Sequence, residues 1–255
     1  MSTATTISLI RTLSKKAGLN VPKALETDLQ RIDNGANVSA AEVDREALAR
    51  TWKAAVADGR DPATDPDVQA HVTRWALERL GIADLIHTEA DRERGEVLRR
   101  HTPALLKVWS TAAAEAGERI LPFSQAHPAI DLASKTPPTA LATAHVPAWR
   151  EAIDAVGTLR TIRKMWGLLF GPQQLNRELG PLAFADLDAE EVTELAYSHG
   201  GKPEVWRAAT LAPVVLTDRD GFYRRVEGVQ RQRERDAENE SAERAWSRQH
   251  SLAPR

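Results

Sequence analysis

Cysteine is absent from this chain of 255 residues. Disulfide bonds, thiolate catalysis and cysteine-ligated zinc or iron–sulfur sites are therefore excluded. Aromatic residues are scarce, at 5% of the sequence, and neither sign of charge dominates, because 34 Lys and Arg oppose 36 Asp and Glu. The resulting net charge of −2 gives no overall attraction to nucleic acid or to an anionic membrane surface.

Long apolar runs are missing as well. No segment approaches the roughly 18 apolar residues that a membrane-spanning helix needs. The first residues, Met1 to Leu13, lack the apolar core and the cleavage pattern of a signal peptide. We therefore expect a cytoplasmic protein without membrane contact, or a virion-associated one if the chain is phage-derived. We predict no cofactor and infer no small-molecule substrate, since no phosphate-binding loop or nucleophile motif is recognisable.

Tryptophan and glycine recur as closely spaced pairs along the sequence. Five of the seven tryptophans precede a glycine by eight residues or fewer. A glycine just past an apolar periodic run is a common helix stop, because it has no Cβ to clash in the left-handed conformation. The pattern predicts many short helices whose ends are anchored in a core by tryptophan. The five pairs are Trp52 with Gly59, Trp75 with Gly81, Trp109 with Gly117, Trp149 with Gly157, and Trp166 with Gly171.

Helical periodicity and capping signals predict an all-α fold, a multi-helical array of short helices packed orthogonally or as a bundle. The clearest amphipathic helix spans Pro147 to Phe170, where apolar residues fall three or four apart. Ile82 to Ile120 is expected to form two or three helices, with a break at Pro103. The only plausible strand is Leu211 to Leu216. The expected cap residues are Asp65 before Pro66, Ser39 with Glu42, and Asp188 with Glu191.

Composition divides the chain into four expected regions. Residues 1–120 are an N-terminal helical region, and 121–147 are a Pro-rich connector or a strap across the core. Residues 148–228 are a C-terminal helical region. Residues 229–255 form a charged tail, which is either a long polar helix or disordered, because its apolar face disappears after Val229.

One group of residues resembles a metal site. Asp84, His87 and Asp91 are spaced three and four apart, which places them on one helix face. Asp67 and His71 offer a second pair on the preceding helix, and facing helices with such ligands build the metal sites of helical bundles. The alternative is a polar surface with solvated histidines, since the Glu-x-x-His pattern of strong bundle sites is missing.

Two arginine-rich stretches are candidates for binding nucleic acid, which requires local positive potential only. Interleaved acids also allow the alternative, solvated helix faces with intrahelical ion pairs. The candidate residues are Arg150, Arg160, Arg163, Lys164, Arg224 and Arg225.

The charged tail is basic from Arg224 to Arg235 and acidic from Glu234 to Glu243. A helix with this charge division can pair with a neighbouring copy or a protein partner in opposite orientation, and a frayed tail is the alternative. The candidate partner-binding residues are Arg231, Arg233, Arg235 and Trp246.

The sequence thus favours a non-catalytic helical interaction or assembly protein: an adaptor, a scaffold or a virion-type component, for instance from a phage or a mobile element. No catalytic residues are predicted. The first alternative is a nucleic-acid-binding accessory protein that uses arginine-rich helix faces. The second is a metal-dependent helical-bundle enzyme.

Overall fold

The computed structural model of the chain describes residues 2–36, 45–134, 136–139, 141–171, 178–197 and 204–251. These residues form nine α-helices and no strand, which confirms the predicted all-α class. The expected cap at Ser39 and Glu42 lies outside the described residues. The helices are α1 (Thr3–Lys16), α2 (Lys23–Ala36), α3 (Arg45–Ala57), α4 (Pro66–Arg79), α5 (Ile82–Ala126), α6 (Val146–Phe170), α7 (Ala189–Tyr197), α8 (Val205–Leu211) and α9 (Arg219–Ser251).

The chain divides into two compact units. Unit 1 consists of Met1–Ile7 and Pro22–His101, and unit 2 consists of Ser8–Val21 and Thr102–Arg255. None of the described helices is both long enough and apolar enough to cross a membrane.

In unit 1 the apolar stripe of α2 is buried, and polar contacts join α2 to the first half of α5. The guanidinium of Arg94 donates to Asp33 Oδ1 at 2.7 Å. The ring Nε2 of His101 lies 2.9 Å from Asp28 Oδ2. This hydrogen bond is the main cause that lowers the pKa of Asp28, and the nearby guanidinium groups of Arg31 and Arg100 contribute.

The core of unit 2 is built around α6, as the apolar period of that segment predicts. Trp149, Leu159 and Trp166 of α6 are all buried. The indole N–H of Trp166 donates to the backbone carbonyl of Thr217 at 2.7 Å, and its ring meets that of Phe222 edge-on at 5.4 Å. A buried tryptophan with a satisfied N–H fixes its neighbours as well as filling volume.

Two expectations about the backbone are wrong. Ile82 to Ile120 is not divided into two or three helices, because α5 continues without a break through Pro103 and Pro122. A proline inside a helix costs about 3 kcal/mol, but burial of apolar residues on both sides offsets that cost. Among the described residues of α5, the buried hydrophobic ones are Ala90, Val97, Leu98, Leu105, Trp109, Ala113, Ala116, Ile120 and Phe123. The helices before the tail are therefore not uniformly short, since α5 has 45 residues, whereas α9, with 33 residues, forms the long polar C-terminal helix that was one of the two expected forms of the tail.

The second wrong expectation is the strand at Leu211–Leu216. Part of this segment belongs to α8, and the rest is extended without a partner strand among the described residues. Its backbone N–H groups bond a 3₁₀ turn instead: Val215 donates to the carbonyl of Phe184 at 2.7 Å, and Thr217 donates to that of Ala183 at 3.0 Å. Pro213 has no backbone N–H and could not donate a hydrogen bond to a neighbouring strand. The N–H groups of the following residues can therefore be satisfied by the carbonyls of a turn.

Candidate interaction face

Helices α3 and α4 pack against each other as a hairpin in unit 1. Their connection is ordered by local hydrogen bonds. Gly59 has φ of 69° and ends α3, as its sequence pattern predicts, and the N–H of Arg60 bonds the carbonyl of Ala55. Asp65 then caps α4, since its Oδ1 accepts the N–H groups of Asp67 and Val68 at 3.0 and 3.1 Å.

Arg60, in the connection between α3 and α4, binds residues at both ends of that connection. The guanidinium of Arg60 donates to Asp58 at 2.9 Å and also bonds Asp65, whose side chain is almost fully buried. The hydrogen bond to Asp58 is the main cause that raises the pKa of Arg60. The turn that joins α3 to α4 is therefore held by side chains, in addition to its backbone bonds.

Beside this turn, part of the apolar surface that the structure describes in the hairpin is buried. Ala55 and Val68 are buried there. Four other large apolar side chains of the hairpin are in contact with water: Trp52 is 47% exposed, Val56 57%, Val72 42% and Trp75 37%. We call these four residues the hairpin face.

The spacing of the hairpin face follows helical geometry. Trp52 and Val56 are four residues apart on α3, and Val72 and Trp75 are three apart on α4. Each pair therefore lies along one side of its helix. The guanidinium carbon of Arg79 stands 5.6 Å from the ring centroid of Trp75, a cation–π distance.

The positions of Trp52 and Trp75 differ from the prediction. Their pattern predicts that they anchor helix ends in a core, but both are exposed. Periodicity reports which side of a helix is apolar, but it contains no information about which element covers that side. No sequence signal separates Trp52 and Trp75 from the buried Trp109, Trp149 and Trp166.

The candidate metal ligands do not assemble. Asp84 and His87 are exposed, as is Asp67, and His71 is half-buried. The carboxylate of Asp91 caps α1 by accepting the N–H groups of Thr3 and Ala4 at 3.1 and 3.0 Å. Across the described ranges, no three His, Asp or Glu side chains come together in a way that would hold a metal ion.

Three of the candidate nucleic-acid-binding residues make contacts within unit 2. Arg160 Nε donates to Glu204 Oε2 at 2.8 Å, and the guanidinium of Arg163 lies against Gly180. Arg225 donates to two backbone carbonyls, and burial lowers its pKa despite the opposing effect of Asp186. Arg150, Lys164 and Arg224 are exposed. The arginine-rich faces are therefore partly structural.

The tail residues lie on α9. The guanidinium of Arg233 donates to Glu178 Oε1 at 2.6 Å and to the hydroxyl of Thr193, so the helix packs on unit 2 up to this point. Arg231 and Arg235 bond backbone carbonyls one turn earlier in the same helix. From 234 to 246 every residue is exposed, and Trp246 is 62% exposed.

Unit 2 also contains a cavity of about 380 Å³ beside the C-terminal end of α5. Its charged groups are largely bound to each other, since Arg207 donates to Asp131 Oδ1 at 3.1 Å and stacks on Trp206 at 4.6 Å. His127 lines the cavity and meets His145 edge-on at 4.8 Å.

No family model matches the chain, and neither the curated proteins nor the solved structures include a match to it.

Proposed function

We propose that this chain is a non-catalytic helical interaction protein, and that the hairpin face is its main docking surface. The observation that carries the proposal is the exposure of two tryptophans and two valines on one pair of packed helices. Tryptophan is enriched among the residues that dominate the energy of protein interfaces.

The size of the hairpin face supports this function. A tryptophan has about 150–250 Å² to bury, so the four side chains together expose on the order of 350 Å². The largest apolar patch on a typical monomer covers about 300–600 Å² and often has a function. Large apolar side chains exposed on both helices, one of them a tryptophan on each, fit a binding role.

The exposed end of α9 is a second surface of the same functional class. A helix that is polar on all sides is stabilised by its own ion pairs or by a partner. Arg244 and Glu240 form one such pair, four residues apart. Beyond the Arg233 contact, the acidic stretch up to Glu243 is exposed, and Trp246 is exposed as well, so a protein partner could reach this part of the helix.

The experiment is a comparison of complexes formed in the native host. A tagged full-length chain is compared with the double variant Trp52→Ser/Trp75→Ser and with the matched control Leu9→Ser/Val215→Ser. The control removes exposed apolar side chains of unit 2, outside the hairpin. Circular dichroism checks that all three proteins are folded.

We expect a stoichiometric complex, with another protein or with a second copy, that forms with the wild type and the control and is lost in the tryptophan variant. If all three proteins form the same complexes, or none, the hairpin face is not a docking surface and the proposal is wrong.

A further inference from the structure

The cavity of unit 2 has the size of a small-molecule site. Its volume of about 380 Å³ lies within the range of roughly 300–1,000 Å³ that is usual for ligand pockets. It is lined by the end of α5 with the residues that follow, and by parts of α7 and α8. These lining residues all belong to unit 2, so the cavity is independent of the hairpin face.

A desolvated positive charge lies in the wall of this cavity. The side chain of Arg207 is only 11% exposed, and its guanidinium stacks on the ring of Trp206 at 4.6 Å. Burial lowers the pKa of Arg207, although the carboxylates of Asp131 and Glu204 have the opposite effect. The two acids therefore do not fully offset the loss of hydration. An anionic group of a ligand would be favourable beside this guanidinium.

The same wall contains a buried donor that lacks an acceptor. Trp206 is 4% exposed, and its indole N–H has no hydrogen-bond partner among the residues that the structure describes. A buried N–H without a partner is costly. A carboxylate has two acceptor oxygens, so one can bond Arg207 while the other bonds the indole on which Arg207 stacks.

Two carboxylates, those of Asp131 and Glu194, line the cavity as well, and both residues are exposed. Oδ1 of Asp131 accepts the N–H of Ala133 at 3.0 Å and a guanidinium N–H of Arg207 at 3.1 Å. Acidic and basic groups of the cavity are therefore in direct contact. A ligand that matches both must carry an ammonium group close to its carboxylate, and in an α-amino acid the two groups are attached to one carbon.

The remaining lining that bears on the ligand is apolar. Pro128, Ile130, Leu195 and Leu211 line the cavity beside the charged groups. A few polar groups that fix the orientation of a ligand, together with apolar side chains that cover its body, are typical of small-molecule sites. The apolar part favours a ligand with an aliphatic side chain.

We propose that this cavity binds a free α-amino acid with an apolar side chain. The carboxylate of the ligand accepts hydrogen bonds from Arg207 and Trp206, and its ammonium group donates to Asp131 and Glu194. The side chain contacts the apolar lining. This site goes beyond the docking function proposed above and does not depend on it.

Isothermal titration calorimetry of the full chain with L-leucine tests the proposal. A ligand of this size is expected to bind with a dissociation constant of about 10 µM–1 mM. Two matched compounds each lack one charged group: 3-methylbutylamine has no carboxylate, and 4-methylpentanoate has no ammonium. Each should bind about tenfold or more weakly than leucine. Absence of leucine binding, or equal binding of all three compounds, overturns the proposal.

Two substitutions on α7 test the position of the ammonium group. Glu194→Gln should weaken leucine binding by about tenfold and leave the binding of 4-methylpentanoate unchanged, because only leucine carries the positive charge. Glu190→Gln is the matched control, since Glu190 is exposed on the same helix and does not line the cavity. Circular dichroism checks that both variants are folded. If Glu194→Gln binds leucine as the wild type does, the proposed site is wrong.

A third variant tests the carboxylate end. Arg207→Met keeps an apolar stem over Trp206 but removes the charge, so it should abolish the preference for leucine over 3-methylbutylamine. An unchanged preference would contradict the role of Arg207. The hairpin variant Trp52→Ser/Trp75→Ser should bind leucine like the wild type, because the cavity lies in the other unit. The docking function and the amino-acid site can therefore fail separately.

Discussion

The same sequence pattern, a tryptophan shortly before a glycine, has opposite outcomes in the two units. In unit 2, the tryptophans that precede a glycine are buried among helices, and Trp166 has a bonded N–H at the centre of the core. In unit 1, Trp52 and Trp75 belong to a hairpin in which Ala55 and Val68 are buried but both tryptophans are exposed. The pattern therefore predicts local helical structure only, and the surrounding elements determine whether the tryptophan is buried.

The glycines of these tryptophan–glycine pairs also have different structural roles. Gly59, Gly81 and Gly171 have positive φ and follow a helix, as predicted. Gly117 and Gly157 lie inside α5 and α6, so their prediction as stops is wrong. A mid-helix glycine at a close contact, such as Gly117, has a packing reason instead of a capping one.

The largest expected effect compares tryptophans of the two units. Trp166→Ala should lower the free energy of unfolding by about 3–5 kcal/mol, since it leaves a cavity in the core. Trp52→Ala should cost less than about 1 kcal/mol, because half of that side chain is already in water. Denaturant unfolding measures both. Equal losses would show that the hairpin face is buried within the monomer.

The next comparison uses two glycines that each follow a tryptophan by eight residues. A Cβ at Gly117 would lie 2.6 Å from Cγ2 of Val214, whereas nothing lies within 4 Å of one at Gly157. Gly117→Ala should destabilise the protein by about 1–3 kcal/mol through overpacking. Gly157→Ala should stabilise it by about 0.5–1 kcal/mol through helix propensity. Thermal melts decide, and two shifts of the same sign would refute the distinction.

A smaller effect concerns a helix cap in each unit. Asp65 caps α4 from a buried position with two N–H donors, while the exposed Asp218 accepts one N–H, from Gly221 at the start of α9. Asp65→Ala should cost about 1–2 kcal/mol and Asp218→Ala about 0.5–1 kcal/mol. A larger cost at Asp218 would contradict this order.

The smallest effect is a pH dependence confined to unit 1. The folded pKa of Asp28 lies below its ordinary value, chiefly because of the hydrogen bond to His101. Its stabilisation is therefore complete above the ordinary aspartate pKa of about 3.9 and is lost as the pH falls through the folded value. Asp28→Asn should flatten the acid limb of the melting temperature against pH. His101→Gln should have a similar effect, and an unchanged acid limb in both variants would disprove the coupling.

Local signals predicted local structure well. Asp188 and Glu191 form the expected reciprocal cap, with N–H to carboxylate distances of 2.9 and 2.8 Å, and Asp65 before Pro66 begins α4. These features depend on residues within four positions of each other. The continuity of α5 was missed because it depends on distant packing that offsets the cost of Pro103.

The candidate site was harder to predict for the same reason. The sequence drew attention to charged residues near the C-terminus, because charge patterns are visible in one dimension. Recognising the hairpin face requires the tertiary structure, because only the packing of unit 1 shows that Trp52 and Trp75 are exposed. Exposure of an apolar stripe is a tertiary property, and its prediction requires the whole arrangement of unit 1.

The cap that Asp91 provides to α1 has a consequence for folding during synthesis. Its acceptor oxygen lies 88 residues after the N–H of Thr3 that it binds. At a translation rate of about 5–20 residues per second, the first turn of α1 waits roughly 4–18 s for that carboxylate. The segments of unit 1 therefore cannot fold strictly in the order of their synthesis. The first turn of α1 gains its cap only after α5 has been synthesised as far as Asp91.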